Sequence, residues 1–165
     1  MALLKPVAVA LALVATPAAA HIAADPAQAR AGSYQAVRFR VGHGCGDTAA
    51  TTAVRLEIPA GMPSARPQPK PGWKLEITKD GEAVTAVTWR GTLPADQFDE
   101  FAVFFKLPAA PGVLYFPAVQ TCGADEAQWV EIPETPGEKL SHPAPALRLV
   151  PADPAAADPA HQHPQ

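Results

Sequence analysis

Tyr34-Gln35-Ala36-Val37-Arg38-Phe39-Arg40-Val41-Gly42-His43-Gly44-Cys45-Gly46 is the stretch whose reading decides the fold. Gln35, Val37, Phe39 and Val41 fall on one face, and Ala36, Arg38 and Arg40 on the other. A period of two with apolar and charged faces is the pattern of a half-buried strand. Three glycines in the last five residues then stop the ladder and predict a loop or bulge.

The same period recurs on both sides. Residues 52–58 place Val54, Leu56 and Ile58 inward and Arg55 and Glu57 outward. Trp73, Leu75 and Ile77 mark another strand. Asp80-Gly81 reads as a type I′ turn pair, with residues 83–89 returning as the hairpin partner. Residues 91–98 read as a turn with one short helical turn around Ala95-Asp96-Gln97. Residues 100–107 carry Phe101, Val103, Phe105 and Leu107 on one face. Further strands are predicted over 113–121, 128–132 (with Trp129) and 146–150. Residues 22–32 should run extended and then turn, and 59–72 reads as a proline-rich connection.

About eight short strands and no amphipathic helix predict an all-β chain, a single β-sandwich with Greek-key-like connections. Twenty prolines in 165 residues also oppose long helices. The expected organisation is a signal peptide over 1–20, one domain over 21–150, and a Pro/Ala/His tail over 151–165. The tail has no apolar face to bury and is expected to be disordered. The formal charge of −3 and the lack of a Lys/Arg run disfavour nucleic acid and anionic membranes as partners.

The first twenty residues have the parts of a secretory signal. Lys5 supplies the positive end, residues 7–14 an apolar run, and Ala18-Ala19-Ala20 a small-residue cleavage site. The apolar run is shorter than the roughly 20 residues a spanning helix needs. The mature protein is therefore expected in the periplasm or outside the cell, with no membrane anchor. In an oxidising compartment an even pair of cysteines, Cys45 and Cys122, predicts a disulfide.

Cleavage after Ala20 would leave His21 with a free α-amine beside its own imidazole. The amine and Nδ1 can close a six-membered chelate on one metal. An α-amine has a pKa of about 8 in model peptides, so a metal displaces its proton near neutral pH. Two nitrogens from one residue and an imidazole from across the site suit Cu(II) in a tetragonal, nitrogen-rich geometry. His43 sits two residues before Cys45, on a loop the disulfide would pin. Together His21 and His43 would make a three-nitrogen T-shape, a histidine brace.

Trp73, Trp89 and Trp129 read first as core residues. Trp129 is the candidate for a place beside the metal, as a shield and not as a firm ligand, because its indole N–H only donates. His142 reads as a solvated loop histidine, and His161 and His163 as a weak metal-gathering pair in the tail. Asp25, Asp47, Asp125, Glu126 and Glu131 are candidate carboxylates without the spacing of an acid–base pair. No G-x-S-x-G, H-E-x-x-H, P-loop or C-x-x-C motif occurs. A blue-copper site needs a free Cys and an axial ligand, whereas here the cysteines read as paired.

Several stretches resemble the YcnI-like copper-binding domain, long called DUF1775. They are His21, Pro71-Gly72-Trp73, Trp89-Arg90-Gly91-Thr92-Leu93-Pro94 and Phe98-Asp99-Glu100-Phe101. Leu107-Pro108, Gly112-Val113-Leu114-Tyr115-Phe116-Pro117 with Gln120, Trp129 with Pro133, and Pro143-Ala144-Pro145 complete the set. The resemblance implies a sandwich of cupredoxin-like or fibronectin-III-like shape. It also implies a Cu(II) site on the mature N-terminal histidine, with a tryptophan near the metal. In that pattern a glutamate after the first strand completes the site; here Val41-Gly42-His43-Gly44-Cys45 has none, and His43 is the natural replacement.

The expected function is Cu(II) uptake, storage or transfer, without catalysis, and with other periplasmic or membrane copper-handling proteins as partners. Two rivals remain at this point. One is a copper-dependent oxidative enzyme, since a histidine brace also occurs in enzymes that cleave polysaccharides. The other is a metal-free adhesion or scaffold module.

Overall fold

The computed structural model describes residues 21–45 and 48–152. The predicted signal peptide, Asp47, His161 and His163 lie outside the described residues. The described residues form twelve strands. They are β1 (Ala23–Asp25), β2 (Gln28–Arg30), β3 (Tyr34–Val41), β4 (Thr51–Glu57), β5 (Ser64–Pro67) and β6 (Lys74–Asp80), followed by β7 (Ala83–Leu93), β8 (Asp99–Lys106), β9 (Gly112–Tyr115), β10 (Ala118–Cys122), β11 (Asp125–Trp129) and β12 (Ala146–Val150). They pair as a four-stranded sheet β1-β3-β8-β5, a five-stranded sheet β11-β10-β4-β7-β6, and a three-stranded sheet β2-β12-β9. Only β6–β7 and β10–β11 join consecutive strands; the other neighbours meet by crossing connections.

The alternation in β3 does what its period requires. Val37, Phe39 and Val41 are buried, while Arg38 and Arg40 face solvent. Opposite them in β8, Phe101, Val103 and Phe105 are buried as well. Phe39 and Phe105 both close on Phe116, with ring centroids 5.1 Å and 5.4 Å away. Val54, Leu56, Val87 and Trp89 of the second sheet join the same core. A fully buried side chain of this size contributes about 1.5–3 kcal/mol, so the facing stripes of β3, β8, β4 and β7 carry the fold. On the outer face Arg38 pairs with Asp25 and Glu100, and Arg40 with Glu100.

Five local expectations are corrected. The strand predicted over 113–121 is two strands in different sheets, β9 and β10. The break falls at Phe116-Pro117, where proline has no N–H for the ladder and its carbonyl accepts from Glu57 N–H instead. Residues 23–25, 28–30 and 64–67, read as extended chain or connection, are strands too short to show a period. The hairpin turn is Gly81-Glu82 and not Asp80-Gly81, because Asp80 pairs with Ala83. Gly81 has φ 56°, and among the described residues no non-glycine residue has positive φ, so glycine takes the first central position, as in a II′ turn. Residues 95–97 form no helix; Gln97 N–H closes a turn on the Pro94 carbonyl. The strand bearing Trp129 runs over 125–129, ending where 128–132 was expected to begin, because it pairs with β10 from Cys122↔Asp125 to Ala118↔Trp129.

Candidate metal centre

β1 brings His21 to the end of the sandwich where β3 leaves its sheet. Ala23 pairs with Arg40 and Asp25 with Arg38. Continuing that antiparallel register sets His21 across from Gly42, the residue before His43. Ile22, at 3% exposure, anchors this start of the chain in the core.

The His43 loop is held from several sides. Gln120, buried on β10, donates through Nε2 to the His43 carbonyl and to Thr51 Oγ1, both at 2.7 Å. Cys45 is bridged to Cys122 with a Cα–Cα distance of 5.9 Å, and the Cys45 N–H points at Cys122 Sγ, 3.1 Å away. Gly44 N–H donates to the Ala95 carbonyl at 3.1 Å. A Cβ at Gly44 would stand 2.0 Å from the Ala49 carbonyl oxygen, so this close backbone approach requires glycine. The sequence suggested the disulfide but not Gln120 as a support. Gln120 carried a signal only as one of the positions of the family resemblance and as a glutamine in a mostly apolar strand.

The loop also sets the tautomer of His43. Its Nδ1 lies 2.6 Å from the Gly44 carbonyl, which can only accept. Nδ1 therefore carries the proton in the neutral ring, and Nε2 keeps the lone pair a metal needs.

Trp129 ends β11 opposite Ala118, two positions from Gln120 on β10. It is 7% exposed, and its ring centroid lies 5.3 Å from that of His21, tilted 45°. Its Nε1 is buried and, among the described residues, has no hydrogen-bond partner. His142 is the solvated loop histidine expected, with one addition. It is exposed, but its ring stands 5.4 Å from the Trp129 ring at 48°.

The carboxylates serve elsewhere. Asp25 holds Arg38, and that bond raises the guanidinium pKa above its usual value. Glu126 meets the Thr121 hydroxyl at 3.4 Å, and Glu131 accepts the His142 N–H at 2.7 Å. Among the described residues no group of three or more His, Cys, Asp or Glu side chains forms a metal cage. A brace needs only two such side chains, since its third donor is a main-chain nitrogen.

An all-β immunoglobulin-like sandwich, with histidine and tryptophan gathered at one end, is the class of protein defined here. A crystal structure of an uncharacterized protein from Nocardia farcinica with an immunoglobulin-like fold superposes with a TM-score of 0.66 at 36% identity. That match covers 78% of this chain and 97% of the other. The sequence profile of a domain of unknown function, DUF1775, matches residues 21–149, and the chain belongs to that family. The copper-binding protein CutI of Bacillus subtilis (strain 168) is 32% identical over 95 residues. This match covers 56% of the present chain and 46% of CutI, less than half of that relative's length.

Proposed function

We propose that this is an exported protein that binds Cu(II) and stores or passes it on, holding the metal in a histidine brace. Kinship with a copper-binding protein supports copper handling as the role. The observation that carries the site is the packing of Trp129 against His21, 5.3 Å between ring centres, at the end where Gln120 and the disulfide hold His43.

After export and cleavage at Ala20, the His21 amine and Nδ1 would supply two nitrogens, and His43 Nε2 the third. Copper is cargo in this reading, and the fold contributes a fixed donor set and a partly dry surround. Nitrogen donors of this kind favour Cu(II) among the common divalent ions. Trp129 limits water on one side of the site through its indole surface. The described residues contain no helix long and apolar enough to cross a membrane. Release into the periplasm or the medium is part of the proposal, with exchange to another copper-handling protein as the consequence. The proposed role is non-catalytic, in line with a relative named as a copper-binding protein.

Titrating Cu(II) into the chain beginning at His21, read by electron paramagnetic resonance, tests this directly. One tight equivalent with several nitrogen couplings is expected, lost when one extra residue precedes His21. His43→Ala should weaken binding and change the spectrum. Equal binding by the extended sample would refute the brace, and an unchanged His43→Ala spectrum would remove His43 from it.

A further inference from the structure

We infer that His142 is a positioning residue of the copper site, holding the Trp129 indole in place beside His21. The inference rests on the copper reading above and extends it to a residue on a separate segment.

The segment after β11 is a closed excursion that returns His142 to Trp129. Glu131 makes the closure. Its N–H donates to the His142 carbonyl at 3.0 Å, and its carbonyl accepts from the Ala144 N–H at 2.8 Å. Its carboxylate accepts the His142 N–H at 2.7 Å. Glu131 and Pro143 thus form a parallel bridge. The far end of the excursion is capped by Glu138, whose carboxylate accepts the Glu134 N–H at 2.8 Å, and Gly137 takes φ 84° in the return.

So much backbone bonding fixes His142, although its side chain is exposed. The imidazole has one described ring neighbour, Trp129. Trp129 in turn is contacted by two imidazoles at nearly equal distance, 5.3 Å and 5.4 Å. It sits at the end of an edge strand, where a large ring has β-sheet on one side only. Its unpartnered Nε1 supplies no hydrogen bond to orient the ring. Packing therefore sets the indole's position: the core cluster holds its buried face, and the rings of His21 and His142 hold the rest.

The test uses the chain beginning at His21, labelled with 5-fluorotryptophan, as wild type, His142→Ala and His142→Phe. Two readings are taken: the Trp129 fluorine resonance without metal, and the rate of Cu(II) release to excess EDTA. His142→Ala should shift or broaden the resonance and speed release about three- to tenfold, the range one aromatic pair contributes. His142→Phe keeps a ring without a donor nitrogen and should restore both. Wild-type values in His142→Ala would overturn the proposal, as would a moved resonance with unchanged release. Failure of phenylalanine to restore release would assign His142 as a nitrogen ligand instead. Copper binding by the chain with an extra residue before His21 reports separately whether the brace itself has failed.

Discussion

His43 and His21 reach the same end of the sandwich by unlike means. His43 rides on a loop tied by a disulfide, a buried glutamine and a backbone bond to Ala95. His21 precedes a three-residue strand and is steadied by the Ile22 anchor and the Trp129 ring. Both side chains are partly buried; one is held by bonds to its loop, the other by packing against a neighbouring ring and the core. The contrast teaches that the two histidines of the proposed site need not be held in the same way. In the proposed site, the bonded loop would set the position of one donor and packing that of the other.

The largest test of this contrast is removal of the covalent tie. The Cys45–Cys122 bridge spans a separation of 77 residues, and in the chain-entropy model a loop of that size is worth about 4 kcal/mol. Urea unfolding of the Cys45→Ser/Cys122→Ser variant should show a loss of that order, with weaker Cu(II) binding alongside. A loss well under about 1 kcal/mol would mean that the other ties suffice to hold the loop.

Next comes Gln120→Met, which keeps length and removes the donor. The His43 carbonyl and Thr51 hydroxyl would each lose a partner in a buried setting. Unfolding should become easier by about 1–3 kcal/mol, and the Cu(II) spectrum should broaden as His43 loses its mount. A sharp, unchanged spectrum would show that the bridge alone positions His43.

The smallest effect lies away from both histidines. Glu76 on β6 accepts hydrogen bonds from Lys74 and Arg90, which hold its pKa below the ordinary value of 4.5. A depressed carboxylate pKa gives stability that is present above the unfolded value and is lost as pH falls through the folded one. The side chains are well exposed, so Glu76→Gln should change the melting temperature barely at neutral pH and slightly flatten its fall under acid. Copper binding should not respond; if it did, the site would extend further along the sheet than its two mounts.

The strands that could be read in advance are those long enough to show a period, above all β3 and β8, whose alternating apolar residues Val37, Phe39, Val41, Phe101, Val103 and Phe105 are buried. β1, β2 and β5 span three or four residues, and they exist because longer strands offer them a hydrogen-bonded edge. The division of 113–121 was legible in principle at Pro117, but a proline alone does not say which sheet each half joins. At the site, His21, His43 and Trp129 were singled out by residue type and setting, and the structure packs His21 on Trp129. Gln120 and His142 were passed over as supports. Their roles depend on partners 77 and 13 positions away, His43 and Trp129.

Sequence alone determined the all-β character, the buried stripes and the pairing of the two cysteines, because each follows from local period, composition or redox setting. It also marked His21 as a candidate chelator, since amine and imidazole would belong to one amino acid at a chain start there. The tertiary structure decided the rest: three sheets, the tautomer of His43, the buried hold of Gln120 and the place of His142 beside Trp129. These depend on which distant segments share an edge or a core, and chain crossings set that without leaving a local pattern.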